Sequence, residues 1–88
     1  MKAREGFILR NLVGELVLMP AGAQIRTFQG LVRMNELSSF IWQHLAAETT
    51  REDLLAAILD AYEVDPATAA ADLDETLDKM RSMDLLED

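Results

Sequence analysis

Apolar residues change their spacing once along the chain, and that change divides it into two unequal parts. The first third carries short apolar runs separated by turn residues. Gly6-Phe7-Ile8-Leu9-Arg10-Asn11-Leu12 and Glu15-Leu16-Val17-Leu18-Met19 flank Val13-Gly14, and Pro20 stops the second run. Two such runs around a glycine turn predict an antiparallel hairpin. Ala21-Gly22-Ala23 reads as a loop, and Gln24-Ile25-Arg26-Thr27-Phe28 alternates polar and apolar as a half-buried strand does. Gln29-Gly30 is a turn signal, and Leu31-Val32-Arg33-Met34 is the last strand candidate. Whether the 24–28 segment joins the main sheet is open at this point, so three or four strands are expected.

From Asn35 onward the period is helical. Asn35 is a good N-cap, and Leu37, Phe40, Ile41 and Leu45 follow at i, i+3, i+4 and i+8, with Trp42 at the edge of the stripe. Thr49 or Thr50 caps a second helix, with Glu52 or Asp53 completing a capping box in either register. Its core stripe is Leu54, Leu55, Ile58, Leu59 and Tyr62. Asp65-Pro66 places a cap and then a proline where a helix begins. The third helix puts Ala70, Leu73, Leu77 and Met80 on one face and fades near Asp84-Leu85-Leu86. Strands followed by helices predict an α+β fold: a small antiparallel three- to four-stranded sheet followed by three helices, winged-helix-like. At 88 residues the whole chain, 1–88, is expected to form a single domain.

Half the residues are apolar, so a core is available. The absence of cysteine removes disulfides, thiolate metal sites and thiol nucleophiles, and suits a reducing cytoplasm. No apolar run approaches the roughly 20 residues that span a bilayer, and the N-terminus does not read as a signal peptide. No membrane association is expected. Residues 1–44 hold five Lys/Arg and three Asp/Glu, while residues 45–88 hold three and thirteen. The second half is thus strongly acidic. It reads as solvated helix faces or as a field that steers a basic partner, and it would repel a phosphate backbone.

Catalytic chemistry finds little support. His44 is the only histidine, and nothing near it in sequence completes a site. Ser38, Ser39 and Ser82 lie in no nucleophile elbow, and the four glycines form no phosphate loop. Asp72-Leu73-Asp74-Glu75 lacks calcium-loop spacing. No catalytic residue, metal or cofactor is therefore expected. Met34, Met80 and Met83 stand out, because methionines serve both as core filler and at adaptable binding surfaces.

The ordered set of segments resembles the PqqD-like family of precursor-peptide recognition elements. It comprises Gly6–Arg10, Gly14–Pro20, Phe28–Glu36 leading into Phe40-Ile41-Trp42, Thr49–Leu54, Ala61–Asp65 and a closing Leu-rich helix. Met34-Asn35-Glu36 stands where the family usually has Leu-Asn-Glu. The resemblance implies a three-stranded sheet packed on three helices, and a non-catalytic, chaperone-like function. Such a domain binds the leader of a ribosomally made precursor peptide and presents it to a modifying enzyme such as a radical SAM enzyme. It also implies that the leader adds as a strand beside the third strand, in a cleft walled by the third helix. On this chain the docking edge would be Leu31, Val32, Arg33 and Met34, and the wall Asp72, Thr76, Lys79, Met80 and Met83. Arg33 and Lys79 would pair with leader carboxylates. Two other readings are a winged-helix-like DNA-binding regulator, which the charge disfavours, and a structural accessory subunit docking on an enzyme. An edge strand also leaves monomer and edge-strand or swapped dimer open.

Overall fold

A computed structural model describes residues 1–26, 28 and 30–88, Ala23 by its backbone alone. The hairpin forms where the pattern places it. β2 (Phe7–Leu12) pairs antiparallel with β3 (Glu15–Pro20) in the register Leu12↔Glu15 through Phe7↔Pro20, after a short β1 (Lys2–Ala3). The two linking residues, Val13 and Gly14, have φ of 52° and 82°, as a two-residue primed turn requires. Asn11 Oδ1 accepts a bond from the Gly14 amide at 3.0 Å and closes the turn. β4 (Val32–Met34) pairs with the other side of β3, Val32 opposite Leu18 and Met34 opposite Leu16. The sheet order is therefore β2-β3-β4.

The 24–28 strand expectation is corrected. Gly22–Ile25 forms a 3-10 turn, with Arg26 at its end; Thr27 and the first half of the Gln29-Gly30 turn signal lie outside the described residues. Ile25 is 62 % exposed, so the alternation did not mark a buried face. The turn is fixed instead by main-chain bonds, Ala21 N–H to Gly6 O at 2.7 Å and Phe28 N–H to Gln24 O at 2.9 Å. Phe28 then packs edge-on against Phe7, ring centres 5.0 Å apart.

Three capped helices follow. α1 (Glu36–His44) starts at Asn35, whose side chain accepts from the Ser38 amide. α2 (Arg51–Ala61) starts at Thr50, which accepts from the Asp53 amide, settling the choice between the two threonines. α3 (Pro66–Ser82) starts at Asp65, which accepts from the amides of Ala67 and Thr68. Leu18, Ile41, Leu45, Leu54, Ile58, Leu73 and Leu77 are almost fully buried between sheet and helices. Three stripe assignments shift. Trp42 is buried rather than marginal, with its ring edge-on to Phe7; Ala69, not Ala70, is the buried alanine; and Leu59 is on the exposed side.

The C-terminal turn holds a feature that periodicity does not show. Asp84, at φ 59°, reverses the chain; its amide bonds Arg81 O and the Leu85 amide bonds Met80 O at 2.9 Å. This pair of bonds is a Schellman motif, and it buries Leu85 beside Met80. β5 (Leu86–Glu87) then pairs with β1, so the two ends of the chain form a separate two-stranded sheet. Arg4 secures it by bonding the main-chain oxygen and carboxylate of Asp84.

Two predictions follow from these contacts. Val13 is a fully exposed β-branched residue in the left-handed region, so Val13→Asn should stabilise the protein by about 1 kcal/mol. In a thermal melt that raises the midpoint by roughly 4–8 °C; no rise would show that the turn carries no strain. The second concerns Arg51 and Asp74, which join α2 to α3 through two bonds of 2.6 and 3.0 Å. The bond from Arg51 holds the Asp74 carboxyl below its ordinary range, partly opposed by desolvation. A carboxylate lowered on folding stabilises above its unfolded pKa, and that contribution disappears as pH falls through the folded value. Asp74→Asn should therefore lose less stability than the parent between about pH 5 and about pH 3 in denaturant titrations.

Candidate functional site

β4 has one strand neighbour among the described residues, so its outer main-chain groups are unpaired by any strand. Alternation along it buries Met34, half-buries Val32 and leaves Arg33 exposed. A groove of about 170 Å³ runs between β4 and α3. Val32, Arg33, Met34, Thr76, Lys79, Met80 and Met83 all line it. Two residues expected at the site lie elsewhere. Leu31 precedes the strand and is 54 % exposed off the groove lining, and Asp72 lines an adjoining notch of about 200 Å³ one turn earlier on α3.

The wall owes its shape to the packing beneath it. Leu73, Leu77 and Met80 are buried on α3, so Thr76, Lys79 and Met83 are turned toward the groove's rim. Met80 is 2 % exposed and serves the core first, whereas Met83 is half-buried and reaches the surface. The groove's charges already have partners. Arg33 Nε lies 3.9 Å from Glu15 and Lys79 Nζ 3.6 Å from Glu75, both exposed pairs. Pairs of this kind are worth about 0–1 kcal/mol, so a bound carboxylate would displace them at little cost.

Asn35, Ser38, Glu75 and Leu85 complete the lining, and sequence reasoning passed over all four. Asn35 carried a signal, its cap, that accounted for its side chain without its position. Glu75 was visible as the i, i+4 partner of Lys79. Leu85 reaches the groove only because of the reversal at Asp84.

His44 is exposed and lies against Phe40, ring centres 4.5 Å apart and planes tilted by 47°. Among the described residues no group of three or more His, Asp or Glu is placed to hold a metal ion. Nor, among the described residues, is any helix long and apolar enough to cross a membrane.

Comparison with known proteins bears on this arrangement directly. Residues 15–86 match the family model described as coenzyme PQQ synthesis protein D. The chain belongs to the PqqD family. The matched span contains β3, β4, the three helices and hence the whole groove. No functionally curated protein sequence matches the chain. Two solved structures share the PqqD fold seen here. One is TbiB1 in complex with the TbiA(beta) leader peptide, 26 % identical, with a TM-score of 0.77 over 99 % of this chain and 95 % of that one. The other is lasso peptide synthetase B1 complexed with the leader peptide, 16 % identical, with a TM-score of 0.69 over 92 % and 89 %.

If Met83 forms the groove's adaptable apolar rim, Met83→Glu should leave the thermal midpoint within a few degrees of the parent. Met80→Ala should cost about 2–5 kcal/mol in chemical denaturation, because it empties a core position. Equal costs for the two substitutions would contradict this division of roles.

Proposed function

We propose that this chain recognises the leader segment of a ribosomally made precursor peptide, binds it by strand addition along β4, and presents it to a modifying enzyme such as a radical SAM enzyme. The observation that carries the reading is an edge strand, β4, whose outer side has no strand partner among the described residues, beside a groove walled by α3. It occurs in a PqqD-family chain whose fold matches that of TbiB1, a protein solved with a leader peptide bound.

Magnitudes divide the work between backbone and side chains. A three-residue edge offers about two to four outward main-chain bonds, each worth roughly 0.5–1.5 kcal/mol net. A dissociation constant of 1 μM needs about 8 kcal/mol. Side chains seated against Val32, Thr76 and Met83 must supply the remainder, at roughly 1.5–3 kcal/mol for each large apolar group buried. Arg33 and Lys79 exchange their internal partners for leader carboxylates and set register. This reading assigns the chain no catalytic step and places it in the cytoplasm with its peptide and enzyme. A DNA-reading role is disfavoured, because Arg51, the one basic residue of α2, is engaged by Asp74.

The test is a titration of the isotope-labelled chain with the leader of the short precursor frame encoded in the same gene cluster. Amides of residues 31–34 and of α3 from 72 to 83 should shift and saturate. Met83→Glu should weaken binding about tenfold, or ~1.4 kcal/mol. N-methylation along the peptide should weaken binding at alternate positions, as one-sided strand pairing demands. Shifts confined to β2 and β3 would overturn the site.

A further inference from the structure

The groove beside β4 continues past the strand. Asn35, Glu75 and Thr76 line both the groove and the notch that holds Asp72. Leu37 and Asp72 in turn line both that notch and a further cavity of about 260 Å³. Its floor is Ile58 and Ala69, each 2 % exposed, and its sides are half-buried Leu37, Tyr62 and Val64. The three spaces share lining residues and lie in series along α3, leaving β4 at its C-terminal end.

The far cavity has a distinct chemistry. It is apolar inside, while Glu36, Glu63 and Asp72 stand on its rim. None of the three carboxylates has a cationic partner among the described residues, unlike Glu75, which lines the groove and pairs with Lys79. Drug-sized ligands occupy roughly 300–1,000 Å³, so this space suits one or two side chains rather than a whole small molecule. Unpaired carboxylates around an apolar cavity complement a cation attached to an apolar group.

We infer that this cavity is a second anchoring pocket for the bound peptide, one that takes a large apolar side chain next to a basic residue. The inference rests on the strand-addition reading for the identity of the occupant. The sheet is antiparallel throughout, and an added strand that keeps this arrangement runs opposite to β4. Its first residues then lie at the Asn35 end, so the residues entering the pocket are those N-terminal to the paired segment. Asp72, set apart from the β4 groove, acquires a role here as a specificity residue facing the basic side chain.

The experiment uses two short probes on the full chain, acetyl-Arg-Phe-amide and acetyl-Glu-Phe-amide, too short to act as an added strand. With the arginine probe, amides near Leu37, Tyr62, Val64 and Asp72 should shift and saturate, with a dissociation constant on the order of 1 mM. The glutamate probe should bind at least fivefold more weakly. Asp72→Lys and Glu63→Lys, both at exposed positions, should each reduce that preference. Equal binding of the two probes, shifts centred on residues 31–34, or no shifts at all would overturn the pocket. A leader that binds along β4 while the arginine probe fails removes the pocket and leaves the strand-addition reading standing.

Discussion

A strand at the margin of a sheet satisfies its main-chain hydrogen bonds on one side only, and the other side must be left to water, covered or used. Here β4 is the strand in that position. Its inner side is fixed by Leu16, Val17 and Leu18, and its outer side faces a groove rather than a covering element. Two features hold the groove open. Leu73, Leu77 and Met80 seat α3 in the core at a fixed distance from the sheet. The Schellman turn at Asp84 sends the chain away toward β1 before it can fold across the edge. A three-residue edge is also short enough to limit unspecific pairing, which long flat edges invite.

The same constraint explains why affinity and specificity are separable. Main-chain bonds along β4 accept any sequence and are individually weak. On the proposed strand addition, discrimination would fall to the wall of α3 and to the charges around it. Those charges are mostly paired within the protein, Arg33 with Glu15 and Lys79 with Glu75, so the free groove is close to electrostatic balance. Carboxylates without a cationic partner among the described residues lie beyond the groove, toward the start of α3. There Asp72 joins Glu36 and Glu63 around an apolar cavity.

Much of this arrangement was legible in the sequence because local chemistry decides it. The primed turn at Val13-Gly14 and the caps at Asn35, Thr50 and Asp65 depend on residues within a few positions of one another. What local pattern could not supply were contacts between distant segments. Gln24–Phe28 alternates like a strand, yet its backbone finds partners in a 3-10 turn. The pairing of Lys2–Ala3 with Leu86–Glu87 spans nearly the whole chain. Leu85 looked like a fraying helix end until the reversal at Asp84 buried it. Of the candidate site, the residues on one strand and one helix face came together, and Asp72 and Leu31 fell just outside because neither sits at the groove's own register. Strand addition is what the resemblance to PqqD-like proteins implies, and the edge of β4 and the groove beside it are the features of this chain that would serve it.

Amide hydrogen exchange along β4 tests the central claim most directly. In the free chain the outward-facing amides of residues 32–34 have no strand partner among the described residues, while the inward-facing ones face β3. Addition of a leader peptide should slow exchange at the outward amides of this stretch in proportion to occupancy, with little change in β2. Protection that appears along Phe7–Leu12 instead, or binding that leaves the β4 amides exchanging as before, would contradict the account.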